Sequence, residues 1–170
     1  MSDVHNVLFL CSGNSARSVM AEAILNREGA GKFQAFAASV DPQAELNPHA
    51  VTVLKNFGYD LSDLSVKPWS EFAQGPSNLH FVFTVCDVAA GEAPPEWPGQ
   101  PITAHWGIPD PAKVAATEAE IAAAFDVAFG MLRRRVELLL ALPVAKLDRM
   151  ALASHLNEIG RSEGATAPAP

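Results

Sequence analysis

A cysteine and an arginine six positions apart, Cys11 and Arg17, flank a Gly-Asn pair in the stretch CSGNSARS. Their residue types suit nucleophilic chemistry on an oxyanion. A thiolate attacks electrophilic centres, and a guanidinium is a planar, permanently charged fork that takes two oxygens at once. Gly13 and Asn14 tolerate left-handed backbone angles, so the loop can curl with successive N–H groups pointing inward as a nest for a tetrahedral anion. Ser12, Gly13, Asn14, Ser15, Ala16 and Arg17 would line that nest. The same field would lower the thiol pKa of Cys11, and Ser18 can donate a hydrogen bond to the sulfur, first as an anion and later as a leaving group. The Lys-Ser/Thr pair of a nucleotide P-loop is absent. Spacing alone favours a blander reading, a buried cysteine closing a strand and an arginine in a surface ion pair; the surrounding elements reverse that preference.

Those elements follow from periodicity. The apolar runs VLFLC and LHFVFTVC have the character of strands buried on both faces of a parallel sheet, with FQAFAAS and PITAHW as weaker strands. A helix is expected from near Arg17 or Ser18 to Glu28, closing at Gly29. Another spans Asn47 to Phe57, with Asn47 as N-cap, Pro48 at the first helical position and Gly58 after the last turn. From Thr117 the capping-box pattern TEAE opens a long helix ended by Pro143, and a last helix covers about Leu147 to Ile159. The alternation β-α-β-α predicts an α/β fold in one domain, residues 1–160, with a disordered tail over 161–170. CSGNSAR then lies between strand and helix, at the carboxyl edge of the sheet where such folds bind ligands and at the positive end of a helix. Six of the thirteen prolines fall between Gly91 and Pro111, which excludes a long helix there and predicts a functional loop broken by a short strand.

Composition narrows the partners. With 170 residues, 49% apolar and 18% charged, the chain can bury one sizeable core. A net charge of -7 argues against nucleic acid and against a polybasic membrane surface. No export signal and no apolar run of transmembrane length is present, so a cytoplasmic protein is expected, with a monomer as default. Two cysteines, Cys11 and Cys86, are too few for a disulfide framework and lack neighbours at zinc spacing; no metal is assigned.

CSGNSARS resembles the Cys-x5-Arg-Ser signature of the low-molecular-weight protein tyrosine phosphatase fold. NVLFLCSGNSARSVMAEAILN, FTVCDVAAGE, WPGQPITAHWGIPDPA and LNEIGR resemble more particularly the arsenate reductases built on that fold. The resemblance implies a four-stranded parallel sheet with helices on both faces, Cys11 as nucleophile, Arg17 as oxyanion binder, and Asp110 of PDPA as general acid on a loop over the site. Without the resemblance, Asp110 reads as a turn residue between prolines. Phosphatases of this fold usually carry an aromatic residue after the Asp-Pro pair; here it is Ala112, which favours a substrate smaller than phosphotyrosine, such as arsenate.

Reducing arsenate takes two electrons, which two thiols can supply, and Cys86 is the second thiol of this chain. Cys11 and Cys86 are 75 positions apart, yet each closes a predicted parallel strand at the same sheet edge. The competing reading of Cys86 is a small apolar residue closing a buried strand. Many relatives carry a further cysteine in a Cys-Pro pair; this chain reads GEAPPEWPG, with Pro94 at that place, so a relay through three protein cysteines is excluded. Either thioredoxin or glutaredoxin reduces a Cys11–Cys86 disulfide, or glutathione or another small thiol attacks the adduct, or reductase activity is lost. No tightly bound cofactor is expected. Ala37 and Ser39 depart from the Ser-Ala-Gly run that accompanies an alkali-cation site near Asn14 and Glu22 in some members, Lys67 matches a family lysine near the pocket, and His105 beside Trp106 reads as packing. The alternatives are a phosphatase acting on phosphotyrosine or another phosphomonoester, and a non-catalytic oxyanion-binding module.

Overall fold

Val7 to Cys11 are buried at every position, which happens to a strand when both faces of its sheet are covered. The structure is a computed structural model; it describes residues 4–11, 16–39, 46–61, 64, 66–68, 70, 78–86, 100–111, 117–162 and 165. Strands β1 (His5–Cys11), β2 (Phe33–Ser39), β3 (Val66–Pro68), β4 (Leu79–Thr84) and β5 (Ile102–His105) form a wholly parallel sheet in the order β3-β2-β1-β4-β5. Helices α1 (Ala16–Glu28), α2 (Pro48–Asn56), α3 (Glu118–Leu140) and α4 (Arg149–Gly160) complete the described fold, with a short 3-10 turn at Val144–Lys146. Among the described residues no helix is long and apolar enough to cross a membrane.

All four predicted strands form. The sheet has five rather than four because β3 adds an edge strand, pairing Ala37 with Val66 and Ser39 with Pro68. Three residues including a proline leave no periodic signal, and a proline is tolerated in a ladder only at such an edge. The strand read as LHFVFTVC stops at Thr84, so Cys86 lies two residues beyond β4 rather than on its last residue. The tail from 161 lies mostly outside the described residues.

Local chemistry explains the helix ends. Asn47 Oδ1 accepts from the His49 and Ala50 amides at 2.9 and 3.3 Å, and Gly58 closes α2 at φ 79°, where a side chain is strained. Thr117 Oγ1 accepts from the Glu120 amide at 3.3 Å, which is one half of the expected capping box, and the Glu120 carboxylate accepts from the Thr117 hydroxyl at 3.1 Å rather than from its amide. Helix α1 is packed by both α3 and β2, α2 also packs on α3, and α4 packs on β5. The buried Arg135 of α3 donates to the Met131 and Ser162 carbonyls at 3.1 and 3.2 Å, tying α3 to the end of α4.

The aromatic centre of the core joins β1, β4 and the segment after β5. Phe83 stacks on Trp106 with centroids 3.9 Å apart, and Phe9 packs on both at 5.8 and 6.2 Å. Phe9 is fully buried, so Phe9→Ala should cost ~3–5 kcal/mol, read as a lowered urea midpoint with an unchanged m-value.

Candidate active site

The strand order reverses between β1 and β4, and their carboxyl ends face the crevice where open α/β sheets bind ligands. Cys11 is the last residue of β1 and is fully buried. Ala16, Arg17 and Ser18 form the first turn of α1, whose N–H groups have no acceptor within the helix and carry its positive end. Four residues join these two elements, and they are Ser12, Gly13, Asn14 and Ser15 of the predicted nest; they lie outside the described residues.

Arg17 is placed by contacts that bring distant parts of the chain to α1. Its Nη1 donates to the Ile108 carbonyl at 2.8 Å, across 91 residues, and its Nη2 lies 3.5 Å from Asp110 Oδ2. The guanidinium is buried, and its Nε–H has no hydrogen-bond acceptor among the described residues. A buried donor of this kind is costly unless an acceptor meets it, and a tetrahedral oxyanion is such an acceptor. Asp110 is itself nearly buried, its side chain 11% exposed. The structure therefore brings Asp110 to the arginine that the sequence placed beside Cys11. Ser18, next to Arg17, is fully buried.

The second cysteine arrives through the sheet. In register Leu10 stands beside Thr84, and beyond the strand the Val85 amide donates to the Leu10 carbonyl at 2.9 Å. Cys86 follows Val85 and, like Cys11, is buried. Cys11 and Cys86 thus close neighbouring chain segments at one edge of the sheet. Pro94 and Ala112 lie outside the described residues.

Glu22, one and a half turns after Arg17 on α1, is buried on a cavity of about 580 Å³ that Asn26, Phe36, Tyr59 and Lys67 also line. Burial pushes its carboxyl up to about 7, against a hydrogen bond from the Ala37 amide and the Lys67 charge, which lower it. Asn14 lies outside the described residues, and the positive charge acting on Glu22 is that of Lys67. Among the described residues no group of three or more His, Cys, Asp or Glu side chains is arranged to hold a metal. Neither this cavity nor a second of about 270 Å³ at the opposite sheet edge is lined by Cys11, Arg17 or Asp110 among the described residues. Void size is a poor guide to a site for one small oxyanion, which needs converging donors rather than a large hollow. Sequence reasoning missed the Ile108 carbonyl, because a backbone acceptor has no residue-type signature.

Residues 6–151 match the family model for low molecular weight phosphotyrosine protein phosphatase. The arsenate reductase of Bacillus licheniformis is 35% identical over 67% of this chain and 79% of its own. The glutaredoxin arsenate reductase of Synechocystis is 29% identical over 79% of this chain and 95% of its own. Among solved structures, an arsenate reductase in a phosphate-binding state superposes with a TM-score of 0.67 at 28% identity, covering 81% of this chain and 97% of that one.

The Glu22 carboxyl carries a pH prediction. Its pKa rises from 4.5 to about 7 on folding, so the folded protein binds this proton more tightly than the unfolded chain. The contribution is therefore full below pH 4.5 and is lost as pH rises through about 7, a difference of ~3 kcal/mol at most. Urea denaturation across that window should show a falling stability component that Glu22→Gln removes.

Proposed function

The chain belongs to the low molecular weight phosphotyrosine protein phosphatase family, and from that premise we propose that it is a thiol-dependent arsenate reductase. The observation that supports the reading is a pair of buried cysteines at the ends of neighbouring segments, one of them beside the helix that bears a buried arginine. Hydrolysis of a phosphate ester needs one thiolate, an acid and water, and gives Cys86 no task. Arsenate reduction needs two electrons and gives it one.

In this mechanism the Ser12 to Arg17 amides and the Arg17 fork hold arsenate. The Cys11 thiolate attacks arsenic while Asp110 protonates the departing hydroxyl, which leaves as water, and an S–As(V) bond forms. A second thiolate, from Cys86 or a small thiol such as glutathione, then attacks the Cys11 sulfur. The S–As electron pair passes to arsenic, releasing arsenite, and the two sulfurs are left as a disulfide. Ser18 stabilises the Cys11 sulfur as nucleophile and as leaving group. Because three-cysteine relay is excluded, the disulfide is reduced by thioredoxin or by glutaredoxin; the name of the Synechocystis relative supports the latter. Bridging Cys11 and Cys86 requires their Cα atoms within ~7 Å.

The test incubates the reduced protein with arsenate and maps thiols by mass spectrometry. The wild type should lose two hydrogens and yield a Cys11–Cys86 cross-linked peptide; Cys11→Ser should yield nothing, and Cys86→Ser should require added glutathione. If arsenate never oxidises Cys11, even with glutathione and glutaredoxin or with thioredoxin, the reductase reading fails. The second reading, phosphomonoester hydrolysis through a Cys11 phosphoenzyme, is favoured by the name of the matching family model and then takes its place. In either chemistry Asp110→Asn should lower kcat by ~10²-fold or more, measured in steady state, with KM changed far less.

A further inference from the structure

We propose that Trp106 is a positioning residue, seated on α4, that holds the loop carrying Asp110 against Arg17; the inference rests on the reading of Asp110 as general acid. The indole is fully buried and lies flat on Phe83, 3.9 Å between centroids and 8° between planes. Stacking fixes the ring's plane but leaves it free to slide within that plane. Two directional bonds remove this freedom: the Trp106 amide donates to the Thr84 carbonyl at 2.7 Å, and the indole Nε1–H donates to the Leu156 carbonyl of α4 at 2.9 Å.

Two residues on, the Ile108 amide reaches the Val85 carbonyl at 3.4 Å, and the Ile108 carbonyl accepts the Arg17 bond. Two further on stands Asp110. Trp106 is thus the root of a five-residue arm whose tip is the acid. Packing alone needs a ring at 106. An N–H aimed at a helix carbonyl 50 residues away fixes where that arm starts.

Helix α4 is shaped to receive it. A Cβ at Gly160 would fall on the His105 carbonyl oxygen and come within 3.0 Å of Trp106 Cδ1, so the helix backbone meets the root of the arm with no side chain between them. This helix runs beyond residue 151, where the family match ends. The seat of the acid arm is thereby supplied by a part of the chain outside that match.

Trp106→Phe keeps an aromatic ring on Phe83 and removes the N–H, which makes it the test. Hydrolysis of para-nitrophenyl phosphate and phenyl phosphate is compared, because the more basic phenolate depends far more on a placed acid than nitrophenolate does. The variant should lose ~10-fold more kcat on phenyl phosphate than on para-nitrophenyl phosphate. KM and the protection of Cys11 from iodoacetamide by phosphate should stay at wild-type values. Amide exchange over residues 104–110 should quicken, and Gly160→Ala should act in the same direction. Within an Asp110→Asn background, Trp106→Phe should add nothing to the difference between the two esters. Equal losses on both esters, a difference that persists without Asp110, or unaltered exchange over 104–110 would each overturn the proposal. If the wild type hydrolyses neither ester, the rate of arsenate-driven Cys11 oxidation replaces kcat; if that is absent too, the proposed function fails while exchange over 104–110 still judges the seat.

Discussion

The bond from Arg17 to the Ile108 carbonyl is the contact on which the rest of the site depends. It spans 91 residues and joins the helix that follows Cys11 to the segment that carries Asp110. A guanidinium has five N–H donors in a rigid plane, so using one on a fixed backbone acceptor orients all the others. The arginine is therefore aimed by the fold before any anion arrives, which is the condition under which electrostatic stabilisation costs no reorganisation during reaction. A lysine could carry the charge but could not be aimed in this way.

That aim requires a sheet that delivers three chain segments to one edge. The order β3-β2-β1-β4-β5 reverses at β1 and β4, so the helix after β1 crosses one way and the later chain returns on the other side. The returning strands bring first Cys86 and then Asp110 to the sheet edge at which Cys11 closes β1, and Asp110 to Arg17. The apolar layers that cover β1 also withdraw water from Arg17 and Glu22. Low polarity strengthens the Arg17 contacts, and the same low polarity holds Glu22 toward its neutral form.

The sequence was most readable where one residue type has one physical use. A five-residue apolar run between polar ends reads as a doubly buried strand, and Asn47-Pro48 reads as a helix start, and both stand as expected. The resemblance picked out Asp110, which the structure puts 3.5 Å from Arg17, while the Gly-Asn pair on which the expected nest rests lies outside the described residues. Backbone groups were unreadable: nothing in the letters Ile108 or Leu156 announces that their carbonyls hold Arg17 and Trp106. Strand β3 was unreadable for a related reason, since its ladder is made by main chain at an edge where a proline is tolerated. Trp106 carried no assignment of its own from the sequence, because a buried indole shows its ring in composition and its N–H only in place.

The separation in sequence between the two halves of the site has a consequence for how the protein is made. Cys11, α1 and β2 follow one another in the chain, so a chain folding as it emerges can build the β1–β2 side of Cys11 early. Asp110, its contact with Arg17 and α4 are translated later, beyond the 91 residues that separate Arg17 from Ile108. During that interval Arg17 exists without the segment that fixes its guanidinium. The aim of the guanidinium is thus a product of the last stage of folding, and a partly made chain carries the arginine without its orientation.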